Sequence, residues 1–467
     1  MPFMKPNQPW LYDDITGDMI GVKDPDGGER FFDAQRYSIG AIGALPPAGT
    51  SIVAGGRLCM SSGNRLGMVE LQPRRGTTPL RLMASLGAAG TGTLTAALGG
   101  YRTCDQQIPA PGAFKGVRLV YANYDTAATM PIAKAKVASA AKHLTATGSQ
   151  MTWQDITFNG ALSASVPAAT PGAAQQAPGL LVSDMIPLQA IPRTDGGSRG
   201  LIRVRTLIDG VSVAKTVTVL TVSGTQSAAF NAASWNNGYQ FGSYSPAVDA
   251  VTNPADSNSL TETGGPIMCI GAVFVTDDQI DTIACFGDSL VAGATTTNNT
   301  AGWPTRLTML DAGLSGINFG SSGQKTKDTL GTFRSYLAGM PKPMYAAFRM
   351  WSPNDGYTSQ QAFDDAWAYG MEMLELCRNN DIIPVVLTSG PVNGYNASQN
   401  TFRLNQNAKT LELRKYGVIV VDAASVVTQP GTDNTINPLF DGGDNLHYND
   451  LGHEAIARKV LQEIAIG

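Results

Sequence analysis

From residue 282 onward, short apolar runs alternate with longer amphipathic stretches, and few folds accommodate that alternation. Runs of strand length occur at residues 282–286, 317–319, 344–350, 382–388 and 418–421. Helical patterns lie between and after them at 304–312, where Pro304 sits at a helix start, at 359–378, at 399–415 and at 450–464. In the last of these, Ile456, Val460 and Ile464 share one face. Apolar strands alternating with helices predict an α/β fold whose parallel sheet is covered on both faces. Ligands of such sheets bind beyond the carboxyl ends of the strands.

The chemistry-bearing motifs fall at those ends. The first run closes in Phe286-Gly287-Asp288-Ser289-Leu290, and Asp444-Asn445-Leu446-His447 precedes the final helix. A serine hydroxyl is a weak nucleophile at neutral pH and needs a base to take its proton. An imidazole titrates near the operating pH, and a carboxylate on its other nitrogen fixes the tautomer. Ser289, His447 and Asp444 are therefore the candidate nucleophile, base and orienter. Between them stand Asn318-Phe319-Gly320-Ser321-Ser322-Gly323 and Ser352-Pro353-Asn354-Asp355-Gly356. Each motif alone has a plain reading: Gly-Asp-Ser and Asn-Asp-Gly are common turns, and Asp-x-x-His can be a helix cap beside a surface histidine. Their joint order is what carries the signal. Of the three histidines, His143 lies in a Lys/Ala-rich polar stretch and His453 in the first turn of the last helix, which leaves His447 with a carboxylate at the right offset.

These four motifs, in this order, resemble the SGNH (GDSL) hydrolases, and the resemblance covers the chain from about residue 282 to its end. It implies an SGNH-type, flavodoxin-like sheet and a serine carboxylic ester hydrolase that uses no cofactor and no metal. It also implies an oxyanion hole made by the backbone N–H groups of Ser289 and Gly323 and the side-chain amide of Asn354. Gly323, without a Cβ, lets its N–H approach a substrate closely. The order Ser, Asp, His matches the α/β-hydrolases, but their Gly-x-Ser-x-Gly elbow is absent. The loops at 390–400 and 425–443 are polar, with Tyr395, Leu439 and Phe440 the bulky exceptions. That leans toward a small acyl group on a polar carrier, with Trp351, Tyr395 and Phe440 as candidate substrate contacts. The expected activity is O-deacetylation of a polysaccharide. A lipase, arylesterase or thioesterase of the same fold, acting on small or lipid esters, is a second reading. A non-enzymatic receptor-binding protein is a third.

Residues 1–281 read differently. Strand candidates at 116–122, 153–158, 201–207 and 212–222, separated by Gly/Pro/Asn-rich turns, predict an antiparallel β-sandwich. The stretches 116–123 and 156–160, the latter followed by 181–184, resemble the β-domain ahead of some bacterial SGNH hydrolase domains. The polar stretch 223–265 carries Phe230, Trp235, Tyr239, Phe241 and Tyr244, which read as anchors of a loop or as a stacking surface for sugars. Residues 11–28 resemble the Gly/Asp-rich leaders of phage tail and prophage proteins. Three parts are thus expected: a leader at 1–45, suited to attachment, a β-rich accessory domain at 46–281 and the hydrolase domain at 282–467.

Composition bounds the partners. With 15% charged residues and a net charge of −4, no nucleic-acid footprint is expected. The five cysteines form no CxxC pair, and Cys285 and Cys377 lie in apolar runs as small core residues. No apolar run is long enough to span a membrane, and residues 1–6 open no classical signal peptide. A β-rich esterase without such a signal can still meet an extracellular glycan from a virion released by lysis. A phage tail setting, with homo-oligomers and tail components as partners, is therefore expected, with the cytoplasm as the alternative.

Overall fold

A computed structural model describes the protein from residue 10 to residue 466. Below residue 90 the description is confined to the backbone of the strands. Above it, residues 98, 111–112, 142–150, 170–177, 195–199, 213–214, 222–239, 245–248, 253–259, 262–265, 277–279, 297–301, 312 and 357–358 are outside it. His143, Phe230, Trp235, Tyr239, the side chains of Cys59, Phe241 and Tyr244, and the Gly/Asp-rich turns of the leader lie outside the described residues.

The alternation after residue 281 produces a five-stranded sheet in which every neighbouring pair is parallel. Across the sheet the order is Leu314–Gly320, Asp281–Gly287, Tyr345–Arg349, Ile383–Leu387, Ile419–Val421. By chain order this is second, first, third, fourth, fifth, the flavodoxin-like winding. The order reverses at the first strand, so a crevice opens between the carboxyl ends of the first and third strands. Side chains alternate faces with a period of two, which divides the core. Ile283, Cys285, Val385, Leu387 and Val421 join one apolar cluster with Trp303, Leu307, Ile456 and Val460. Ala284, Phe286, Phe348, Val386 and Val420 join the other with Leu330, Phe333, Tyr336 and Met373. Helices Trp303–Leu310, Ala423–Val427 and Asp450–Ile466 cover the first face, and Thr326–Gly339, Gln360–Asn379 and Ala397–Glu412 the second.

Helix Thr326–Gly339 is absent from the sequence expectation. Gly331 in its middle and Thr326, Thr329 and Thr332 along it lower its intrinsic propensity. Tertiary packing outweighs that deficit, because Phe286 lies 4.8 Å from Phe333 and 5.4 Å from Tyr336 between ring centroids, with Phe319 stacked on Phe286 at 5.5 Å. These aromatic contacts hold the helix on the first two strands.

The N-terminal region carries antiparallel sheets. A six-stranded sheet is built around Tyr101–Ala110 and Gly200–Asp209, and a four-stranded one around Gly116–Asn123 and Cys269–Val275. The buried amide of Gln106 joins them, donating to Cys269 O at 2.7 Å and accepting from Cys269 N at 3.0 Å. The strand expected at 153–158 shortens to Gln154–Asp155. Beyond it the chain turns through Asn159 and Gly160 at positive φ, where the Asp184 carboxylate takes their N–H groups at 3.0 and 2.8 Å. Leu180, on the strand Gly179–Val182, faces Gly339 at the end of helix Thr326–Gly339, so the two regions share one apolar core. Strands within 10–41 form a separate four-stranded antiparallel sheet.

The carboxyl ends of the first two strands approach each other through missing side chains. A Cβ on Gly320 would fall 2.3 Å from Ala292 N and 2.6 Å from Val291 C, inside the turn that bears Ser289. Backbone cannot yield as a flexible side chain can, so Gly320→Ala should cost roughly 1–3 kcal/mol of stability. Urea unfolding of the variant against wild type measures this, and an unchanged midpoint would contradict the packing described.

Candidate active site

Ser289 begins a one-turn helix, Ser289–Ala292, directly after the first parallel strand. Gly287 makes the exit possible, with φ +153° and a notional Cβ only 2.6 Å from Val291 Cγ2. Asp288 caps the turn, its carboxylate accepting from Leu290 N at 3.0 Å. Asn318 on the second strand closes it from the other end, donating from Nδ2 to Val291 O at 3.0 Å.

The opposing loop organises itself. The Asp441 and Tyr448 backbones bridge, and Gly442 N donates to His447 O at 2.9 Å. Between them Gly443 and Asn445 take positive φ, a conformation that asparagine tolerates. Asp444 Oδ1 accepts from the backbones of Leu446 at 3.0 Å and His447 at 2.8 Å. Its Oδ2 lies 2.5 Å from His447 Nδ1, and His447 Nε2 lies 2.7 Å from Ser289 Oγ. Partial burial raises the affinity of Asp444 for a proton, but the hydrogen bonds from the His447 backbone and ring and from Leu446 outweigh it and hold the carboxyl below its ordinary range. The arrangement can pass a proton from hydroxyl to imidazole while a fixed negative charge faces the ring's other nitrogen.

Gly323 is exposed, has φ +79° and has open space where a Cβ would stand. Asn354 lies in the short 3₁₀ turn Pro353–Asp355, and its Nδ2 donates to Gln324 O at 3.0 Å and Ser352 Oγ at 3.2 Å. Ser352 and Asp355 form a capping box around this turn. The Asp355 carboxylate accepts from Ser352 N at 2.7 Å and from Thr326 N at 3.0 Å, which ties the turn to helix Thr326–Gly339. Burial pushes the Asp355 carboxyl above its usual range despite these donors.

Among the expected substrate contacts, Trp351 needs correction. It is 2% exposed, belongs to the apolar core and lines a small recess with Gly287, Asp288, Val291 and Arg349. Tyr395 and Phe440 are half-buried against the two cores, while Leu439 is 59% exposed. Asn393 ties the surrounding loops together, donating to Asp441 Oδ2 at 3.1 Å and accepting from Ile436 N at 2.7 Å. Asp288, Ser352 and Asp355 shape the site without having been singled out. The Ser-x-x-Asp spacing of 352 and 355 is a capping signature readable in sequence; the partnership of Asp288 with Ser352 is not.

His453 is fully buried and does not reach the nucleophile. Its Nδ1 accepts from Trp303 N at 3.1 Å at the start of helix Trp303–Leu310. Cys285 and Cys377, expected in the core, are buried.

A hydroxyl, an imidazole and a carboxylate are thus bonded in series at the carboxyl edge of a doubly wound sheet, an arrangement able to serve as nucleophile, base and orienter. Residues 285–455 match the model of the GDSL-like lipase/acylhydrolase family. No curated protein matches the sequence. Among solved structures, a member of the lipolytic protein G-D-S-L family from Veillonella parvula aligns at 15% identity and a TM-score of 0.34, covering 39% of this chain and 96% of that one. A GDSL-like lipase from Bacteroides thetaiotaomicron aligns at 16% and 0.32, over 40% of this chain and 88% of that one. The acetylxylan esterase Axe2 from Geobacillus stearothermophilus aligns at 16% and 0.32, over 39% and 94%. No helix among the described residues is long and apolar enough to cross a membrane.

Burial, with the positive charges of Arg306 and Arg349, lowers the His453 pKa to about 3. The folded state keeps this ring neutral, whereas the unfolded chain takes up its proton near pH 6.5. Below that pH the unfolded state binds more protons, so stability falls as pH drops toward about 3. Between pH 6.5 and 5 the loss should reach about 1–2 kcal/mol. Urea midpoints across this window should fall in wild type and stay flatter in His453→Gln; equal slopes would contradict the buried neutral ring.

Proposed function

We propose that the protein is a serine ester hydrolase that removes small acyl groups, most specifically O-acetyl groups, from a polysaccharide. The observation that carries the hydrolase reading is the unbroken series from Ser289 Oγ through His447 to Asp444, at 2.7 and 2.5 Å. In this reading Ser289 Oγ attacks the ester carbonyl carbon and its proton passes to His447 Nε2. The oxyanion is met by Ser289 N–H, Gly323 N–H and the Asn354 amide. Collapse breaks the carbon–oxygen bond of the ester, and His447 returns the proton to the leaving alcohol. Water then repeats the sequence on the acyl-enzyme and releases the acid.

The polar character of the surrounding loops supports a small acyl group on a hydrophilic carrier. The antiparallel region, packed on helix Thr326–Gly339, supports a wider surface over which a polymer could gain many weak contacts. Residues 1–45 then serve attachment, in the setting of a phage tail or prophage protein acting on a cell-surface glycan as a homo-oligomer.

Ser289→Ala should lower kcat for p-nitrophenyl acetate by roughly 10⁴-fold or more while the thermal midpoint stays near wild type. Near-normal turnover in this variant would remove the reading. Acetate release across a panel of acetylated glycans, beside short- and long-chain p-nitrophenyl esters, tests the carrier; a preference for long chains would favour a lipid substrate.

Only a neutral imidazole can accept the serine proton, so activity should rise with pH through a single ionisation. The lowered pKa of Asp444 keeps its carboxylate charged throughout that rise. A pH–rate profile of kcat/KM checks this, and a profile that falls across the same range would contradict the role of His447.

A further inference from the structure

The three groups placed around the oxyanion come from three separate strand ends. Ser289 follows the first strand, Gly323 the second and Asn354 the third. Catalysis by such donors requires that they be held in place before charge develops, and a loosely held donor loses most of its effect. Three independent turns have no intrinsic reason to stay in register.

One buried hydroxyl touches the support of all three. Ser352 Oγ lies 2.6 Å from Asp288 Oδ2, next in the chain to Ser289. It lies 2.8 Å from Gln324 O, next in the chain to Gly323. It also accepts from Asn354, from the backbone N–H and from Nδ2, each at 3.2 Å. A hydroxyl has one proton to give. The nearer and charged Asp288 oxygen is the stronger acceptor, while Gln324 O is also served by Asn354 Nδ2 at 3.0 Å. A hydroxyl that donates to a carboxylate becomes a better acceptor, which tightens the bond from the Asn354 backbone N–H, while Asn354 Nδ2, with two protons, keeps one on Gln324 O and turns the other from Ser352 Oγ to the oxyanion. Ser352 is 5% exposed, so water does not compete for these contacts.

We infer that Ser352 is a positioning residue for the oxyanion site: its hydroxyl locks the Ser289 and Asn354 turns together, and Asn354, donating to Gln324 O, brings the Gly323 turn into the same unit. The inference rests on the serine hydrolase reading above. It gives Ser352 no contact with substrate; its effect passes through Asp288, Gln324 and Asn354. Loss of the hydroxyl should therefore weaken binding of the transition state and leave binding of the ground-state ester unchanged.

The test compares wild type, Ser352→Ala and Ser352→Thr with p-nitrophenyl acetate and with a short alkylboronic acid, whose adduct on serine is a tetrahedral anion. Ser352→Ala should lower kcat by about 10–100-fold, below the loss expected for deleting a direct donor, with KM within about threefold. Affinity for the boronic acid should fall by a similar factor, and Ser352→Thr, which keeps the hydroxyl, should recover most of both. A Ser352→Ala enzyme with kcat within twofold of wild type, or one whose KM rises while boronate affinity holds, overturns the inference. If Ser352→Ala does not fold, Ser352→Cys takes its place and should show a smaller fall in kcat with KM held; an unchanged kcat overturns the inference there too. A wild-type protein that neither turns over the ester nor is labelled at Ser289 by an alkyl phosphonate defeats the hydrolase reading itself, a result distinct from any of these.

Discussion

A buried carboxylate organises the carboxyl edge of the sheet. Asp288 is 2% exposed, and a charge removed from water must be met by donors or it destabilises the fold. It collects Leu290 N–H from its own turn, the Ser352 hydroxyl from beyond the third strand, and the Arg349 guanidinium at 3.5 Å from that strand's last residue. Each donor brings a separate segment with it. The ends of the first and third strands are thereby fastened across the crevice that the strand order opens. Breaking this set would leave a buried charge with too few partners, so the turn carrying Ser289 has little freedom to move independently of the turn carrying Asn354.

The two halves of the candidate triad are built on different principles. Ser289 sits within a dense arrangement in which Gly287 and Gly320 allow backbone to pack on backbone. His447 sits on a loop that holds itself, with Asp444 accepting from two backbone N–H groups and from the ring it orients. The orienting carboxylate is thus preorganised by neighbours within three residues. The bond from His447 Nε2 to Ser289 Oγ links the two, over a sequence separation of 158 residues. The last helix anchors the loop from behind, where His453 receives Trp303 N–H and Tyr448 packs beside it.

The antiparallel region packs on helix Thr326–Gly339, which leads to the site. Leu180 lies against one end of Thr326–Gly339, and Asp355 accepts from Thr326 at the other. Packing against the N-terminal region therefore supports the turn that presents Asn354. This helix was also the element least visible in sequence. Its Gly and Thr residues argue against helix formation, and the aromatic contacts of Phe286, Phe333 and Tyr336 that overcome them are not local.

Sequence alone determined the class of the fold and singled out the candidate triad of the C-terminal region. Strand-length apolar runs have one economical burial, a parallel sheet with helices on both faces, and the motifs at the run ends fall where such sheets bind ligands. Local chemistry was legible for the same reason: Asp444 and His447 are three residues apart, and their geometry is set by turn preferences written in neighbouring residues. Tertiary structure alone decided which side chains the site consists of beyond these. Trp351 reads as a binding residue beside Ser352, yet just beyond the strand end its side chain is buried in the apolar core. Asp288 and Ser352 read as parts of two unrelated turns, yet the winding order sets their strands side by side and joins them at 2.6 Å. Adjacency of strands depends on how the chain winds, and a contact across 64 residues leaves no trace in the spacing of either turn.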